Sequence, residues 1–155
     1  MPEGVGLGFD VHPRDPSREL WLGGLLFAGE PGLAGHSDGD VVCHAVADAF
    51  LGAGALGDVG EHFPDTVPET DGISGSDLLG TSIGLLAERE RTPVSFDVTV
   101  VCDRPAVSPR RDEMRARLAE IVGVPFDRVS VKATRPEGLG LTGDGIGCLA
   151  IALLR

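Results

Sequence analysis

Residues 32–50, GLAGHSDGDVVCHAVADAF, set two histidines and three aspartates among side chains that are otherwise small or apolar. Burying that much ionisable chemistry is costly unless each group is paired or ligating. The run DVVCHAVADAF reads as a helix that begins between Ser37 and Asp40 and ends near Gly52. Ser or Asp serves as its N-cap, and Gly52 and Gly54 form its stop. On such a helix Asp40, His44 and Asp48 recur every four residues and share a face. Alanines at 45, 47 and 49 let another element come close.

The remaining chain alternates strand and helix patterns. Residues 4–9 read as a strand running into DVH, and residues 19–27 as two short strands around Gly23-Gly24. Residues 94–103 alternate as Val94, Phe96, Val98, Val100, Cys102, the mark of a strand with one buried face. Residues 128–134 and 146–154 read as further strands. A helix is expected over 76–91, with Leu79, Ile83, Leu86 and Ala87 on one side. Another has Ser108 as N-cap, Pro109 at its first position, a stripe of Met114, Leu118, Ile121 and Val122, and Gly123 as its stop. Between the first of these helices, which ends near Gly52, and the one over 76–91, residues 54–75 form a long Gly/Pro/Asp loop. There is no repeat and no low-complexity linker. The expectation is one α+β domain over residues 1–155, with helices packed on one face of a mixed β-sheet.

Net charge is -11 and Lys132 is the only lysine. That argues against a nucleic-acid partner, which would need phosphates neutralised by Lys and Arg. A small phosphorylated ligand stays open, held by metal ions, backbone N–H groups and a few arginines. The N-terminus lacks a basic n-region and an apolar h-region, and the longest apolar run, near LAIALL, is far too short to span a bilayer. Cys43, Cys102 and Cys148 are odd in number and widely spaced, so no disulfide framework is expected. These features point to a cytoplasmic protein without a membrane segment.

Asp10 and His12 fall on the same side of a strand. With His44 they supply one carboxylate and two imidazoles, the ligand count of a catalytic zinc site with an open fourth position. Cys43 lies about 100° from His44 around the helix and is badly placed to be a fourth ligand. Spacing leaves two readings open: a metal centre, or a core histidine paired with Asp48. His36 and Ser37 can present an imidazole, a hydroxyl and helix N–H groups to a phosphate, or Ser37 can be only a cap. Asp58, His62 and Asp65 read as solvated turn residues. GLGLTG at 138–143 matches G-x-G-x-x-G, but a strand follows it rather than a helix, so it reads as a turn or a backbone phosphate nest.

Taken together, GLGFDVH, LGG, GLAGHSDGDVVCHAVADAFLGAGALGDVGEHFPDT and VKATRPEGLGLTG resemble the 2-C-methyl-D-erythritol 2,4-cyclodiphosphate synthase family of the non-mevalonate isoprenoid pathway. The resemblance covers nearly the whole chain. It implies a homotrimer of α+β subunits with active sites between neighbours. It also implies an intramolecular phosphoryl transfer that releases CMP from a cytidine diphosphate derivative. Asp10, His12 and His44 match the zinc ligands. Glu137 resembles the ligand of a second cation, magnesium or manganese. His36 and Ser37 match positions that contact phosphate, His36 as a transition-state stabiliser. Asp58, Val59, Gly60, Phe63, Pro64, Asp65 and Val67 match the loop that holds the methylerythritol unit. Cys102, Asp103, Arg104, Pro105, Ala106, Val107 and Ser108 match the segment around cytosine. Thr134 to Glu137 match the segment on the diphosphate, and Leu141 a further substrate contact.

The chain departs from the family pattern in four places. Arg135 replaces a threonine tied to transition-state stabilisation, and a guanidinium there can still pair with phosphate. LGL replaces LGF, TGDG is a shortened form with Asp144 in place of an arginine, and Asp71 stands where lysine is frequent. That arginine belongs to a phosphate-binding central cavity, so no isoprenoid diphosphate is expected on the trimer axis. Two other readings compete. One is a zinc phosphoesterase with Asp48 or His62 as general base. The other is a non-catalytic, nucleotide-binding trimer.

Overall fold

The computed structural model of the protein describes residues 2–140 and 142–155. Its centre is a mixed sheet of β1 (Gly4–His12), β8 (Ile146–Leu154), β6 (Pro93–Val101) and β7 (Val129–Thr134), side by side in that order. β8 runs antiparallel to both β1 and β6, and β7 runs parallel to β6. The parallel pair needs a crossover, which α4 (Arg111–Val122) supplies. Short strands β2 (Arg14–Asp15) and β5 (Gly32–Leu33) pair with each other, as do β3 (Leu20–Leu22) and β4 (Leu25–Phe27). The second pair is the hairpin expected around Gly23-Gly24.

One face of the sheet carries the helices. α1 (Val41–Ala53) lies on β1 and β8, α4 on β7, and α3 (Gly75–Ala87) packs between α1 and α4. The alternation along β1 sorts its two faces. Gly4, Gly6, Gly8, Asp10 and His12 turn to α1; Val5, Leu7, Phe9 and Val11 turn away. A Cβ on Gly8 would sit 1.9 Å from the Ala45 carbonyl oxygen, and one on Gly6 1.9 Å from that of Ala49. Only glycine permits this approach, so α1 rests directly on the β1 backbone. Fully buried Phe50, Leu51, Leu79, Leu86, Met114 and Leu118 fill the layer around it.

Several boundaries differ from the sequence expectation for local reasons. α1 starts at Val41 within the expected window, and of the two expected caps Asp40 is the one that serves. The third helix is capped by Ser74 through the Asp77 N–H and ends at Ala87. Ser108 does not cap α4: it opens a 3-10 turn, Ser108–Arg110, and its hydroxyl accepts from the Arg111 guanidinium instead. The long loop contains a one-turn helix, α2 (Val59–His62), and a 3-10 turn, Pro68–Thr70. Leu141 lies outside the described residues. Among the described residues no helix is long and apolar enough to cross a membrane.

Gly8→Val drives a branched side chain into the α1 backbone. It is expected to cost at least about 3 kcal/mol or to prevent folding, read as a lowered urea midpoint.

Candidate functional site

Where β1 passes beneath the first turn of α1, three donor atoms converge. His12 Nε2 is 2.8 Å from Asp10 Oδ2, His44 Nδ1 is 3.1 Å from the same oxygen, and the two nitrogens are 3.4 Å apart. A four-coordinate metal with bonds of about 2.0–2.2 Å sets its donors about 3.3 Å apart. The triangle, with edges of 2.8, 3.1 and 3.4 Å, is therefore close to one face of a tetrahedral site. It is the only such group of His, Cys, Asp or Glu among the described residues. Asp10, His12 and His44 thus come together as expected.

The electrostatics suit a cation. Burial pushes the Asp10 carboxyl up, but the bonds and charges of His12 and His44 outweigh this and hold it at about 2. Burial pushes His44 down, and Asp10 with the neighbouring carboxylates raises it above its usual range. Cys43 and Cys148 are buried beside the site. Burial and nearby Asp40 push both thiols well up, so neither is a ready ligand.

The other aspartates do not face the triangle. Asp40, wholly buried, accepts the N–H groups of Gly23, Gly24 and Cys43 at 2.7–3.0 Å, tying the β3–β4 hairpin to the start of α1. Asp38 accepts from Asp40 and Gly75 N–H, each at 3.0 Å, and so anchors α3. Asp48 accepts from Val59 N–H at 2.7 Å rather than pairing with His44. The shared helical face is thus divided: His44 goes to the metal triangle, Asp40 and Asp48 to backbone. His62 Nε2 lies 2.6 Å from the Leu56 carbonyl.

The chain just ahead of α1 is held from outside. Arg18 donates to the carbonyls of Gly35 and Ser37. His36 Nδ1 lies 3.8 Å from the Asp71 carboxylate, which gives the departure at position 71 a place in the site. Ser37 differs from expectation. It is 3 % exposed, its oxygen lies 2.8 Å from His44 Nε2, and it accepts the Gly39 N–H at 3.2 Å. Sequence reasoning missed this contact, which needs the fold of the Gly39 turn.

Asp58 caps α2 by accepting the Glu61 N–H at 2.8 Å, and Asp65 is exposed nearby. At the far ends of β6 and β7 a cavity of about 250 Å³ is lined by most of residues 102–108 with Ala133, Thr134 and Arg135. Arg104 is the exception in that stretch: it turns to Glu30, 3.3 Å away. Arg135 and Glu137 are exposed, and Glu137 does not join the metal triangle.

The chain matches the model of the YgbB family over residues 4–155. It is 47% identical over 152 residues to a protein from Symbiobacterium thermophilum named 2-C-methyl-D-erythritol 2,4-cyclodiphosphate synthase, covering 97% of each chain. It is 45% identical over 150 residues to a protein from Caulobacter vibrioides named bifunctional enzyme IspD/IspF, but spans only 39% of that longer chain. Among solved structures, the bifunctional IspDF from Campylobacter jejuni superposes with a TM-score of 0.93 at 34% identity, over 99% of this chain and 42% of that one. A 2C-methyl-D-erythritol-2,4-cyclodiphosphate synthase in a CDP-bound form superposes with a TM-score of 0.90 at 33% identity, over 97% and 99%.

The metal-free protein should show a defined pH signature. The depressed Asp10 carboxyl stabilises the fold by about 2 kcal/mol above roughly pH 4, and this is lost as pH falls towards 2. The raised His44 acts oppositely: its contribution is complete below about pH 6.5 and is lost as pH rises through the folded value. Asp10→Asn removes both. Urea midpoints in chelator should therefore show the widest gap between wild type and Asp10→Asn from about pH 4 to 6.5.

Proposed function

The chain belongs to the YgbB family, and on that premise we propose that it converts 4-diphosphocytidyl-2-C-methyl-D-erythritol 2-phosphate to 2-C-methyl-D-erythritol 2,4-cyclodiphosphate and CMP. The observation that carries this reading is the Asp10–His12–His44 triangle, set in a fold that superposes on a CDP-bound synthase over its whole length.

Asp10, His12 and His44 are the residues that would hold zinc. Bound there, zinc supplies electrophilic polarisation of a phosphoryl oxygen and neutralises its charge. In the reaction an oxygen of the 2-phosphate forms a bond to the β-phosphorus. The bond from that phosphorus to the oxygen bridging to CMP breaks. The nucleophile is already an anion, so no side chain need act as a base, and positioning carries most of the work. His36, held between the carbonyls that Arg18 grips, is placed to face the phosphates. Arg135, at the mouth of the 250 Å³ cavity, offers a guanidinium that can pair with phosphate. The cavity itself takes the cytidine end through residues 102–108. Residues 58–67 hold the methylerythritol end. Glu137 is the residue we assign to a second cation, magnesium or manganese.

The apolar outer face supports a homotrimer. Val5 is 70%, Leu7 66% and Ile151 53% exposed in one continuous row across β1 and β8. A patch of that kind marks an interaction surface, and we assign it to contacts between copies of this chain that bring neighbouring half-sites together. Replacing Leu7 and Ile151 together by Asp should convert the assembly to monomer, read by light scattering, with CMP formation falling at least about tenfold. A trimer that persists in this variant would place the contact elsewhere.

The reaction is tested by phosphorus NMR of the purified protein with substrate, zinc and magnesium. Wild type should give the cyclic diphosphate and one CMP per turnover. His44→Ala should lower the rate by about three orders of magnitude, and chelation should do the same reversibly. Release of inorganic phosphate would indicate a phosphoesterase. Unchanged substrate with bound CDP would indicate a binder.

A further inference from the structure

The buried contact between Ser37 and His44 carries an inference that rests on the metal reading above. His44 turns Nδ1 to Asp10 and His12, so Nδ1 is the nitrogen that would donate to a metal. A neutral imidazole carries one proton. If the Nδ1 lone pair is given to a metal, that proton must sit on Nε2. Nε2 lies 2.8 Å from Ser37 Oγ. The same oxygen accepts the Gly39 N–H at 3.2 Å. With the Nδ1 lone pair given to a metal the direction of the bond follows: His44 Nε2–H donates, Ser37 Oγ accepts, and the Gly39 N–H takes the other lone pair.

The oxygen is also immobilised. Ser37 is 3 % exposed, and Arg18 donates to its carbonyl and to that of Gly35. We propose that Ser37 is a positioning residue for the metal centre: it holds His44 in the tautomer and ring orientation that present Nδ1 to the metal. Hydrogen-bond partners of metal-ligating histidines set ligand basicity and orientation in this way. The proposal moves Ser37 from a surface contact with phosphate to a buried support of a ligand. Its own hydroxyl proton, excluded from both existing bonds, is left to point away from His44 and Gly39.

The test is zinc affinity of the full chain, measured with zinc alone by competition against a chromophoric chelator. Wild type should bind one zinc in the triangle and Asp10→Ala should lose it. If wild type binds none, the metal reading itself fails. Ser37→Ala is expected to weaken binding by about 10- to 100-fold, and Ser37→Thr, which keeps the hydroxyl, to stay within about threefold of wild type. A Ser37→Thr protein that weakens as much as Ser37→Ala would mark a merely structural serine and overturn the proposal. So would a Ser37→Ala protein that binds zinc as tightly as wild type. Should Ser37→Ala fail to fold by circular dichroism, Ser37→Gly is read by the same criteria. In cobalt-loaded protein the visible bands of Ser37→Ala should shift relative to wild type, and identical spectra would count against the proposal.

Discussion

The whole arrangement depends on how closely α1 approaches β1. Gly4, Gly6 and Gly8 face Ala53, Ala49 and Ala45 in turn, with no side chain between strand and helix backbone. The row that begins as glycine continues along the same strand face as Asp10 and His12. At the point where close contact ends, the strand presents its ligands and the helix presents His44. A wider helix–sheet spacing, as a row of valines would impose, would carry His44 away from Asp10 by more than a metal–ligand bond can bridge. The tight packing is thus what converts three residues distant in sequence into one donor triangle.

That geometry also explains where the acidic residues go. A cluster such as HSDGD looks like a dense metal or phosphate site, yet its two aspartates bind backbone. Asp40 alone satisfies three N–H groups from two elements, and Asp38 fixes the start of α3. Loop 35–40 is therefore rigid because carboxylates hold it from within and Arg18 holds it from outside. That bracing is what places Ser37 against His44. Of these carboxylates only Asp10 offers an oxygen to the triangle, while Asp38 and Asp40 act on His44 through their charge.

Period and spacing made most of the fold legible. The alternation in β6, the helical stripe of α4, and the Asp10–x–His12 side-sharing all follow from repeats of 2 and 3.6 residues, and all appear in the structure. What the sequence left open was chemistry that depends on where a short side chain turns. Asp40 caps α1 as one of the two expected caps, but its bonds to the β3–β4 hairpin, that of Asp48 to the α2 amide at Val59 and that of Ser37 to the far nitrogen of His44 depend on distant partners. No local pattern encodes those partners. Ser108 failed as a cap for the same reason, its hydroxyl being taken by Arg111.

Within one chain the triangle and the cavity stand apart. β1 carries Asp10 and His12, the cavity opens at the ends of β6 and β7, and β8 lies between. Strands are spaced by about 4.8 Å, so the two regions are separated by about 10–15 Å across the sheet. A ligand that touched both would have to span that distance. A chain of net charge -11 thus divides its carboxylates here: Asp10 offers a donor atom to the triangle, Asp38, Asp40 and Asp48 accept backbone N–H groups, and Arg18 holds the loop carbonyls.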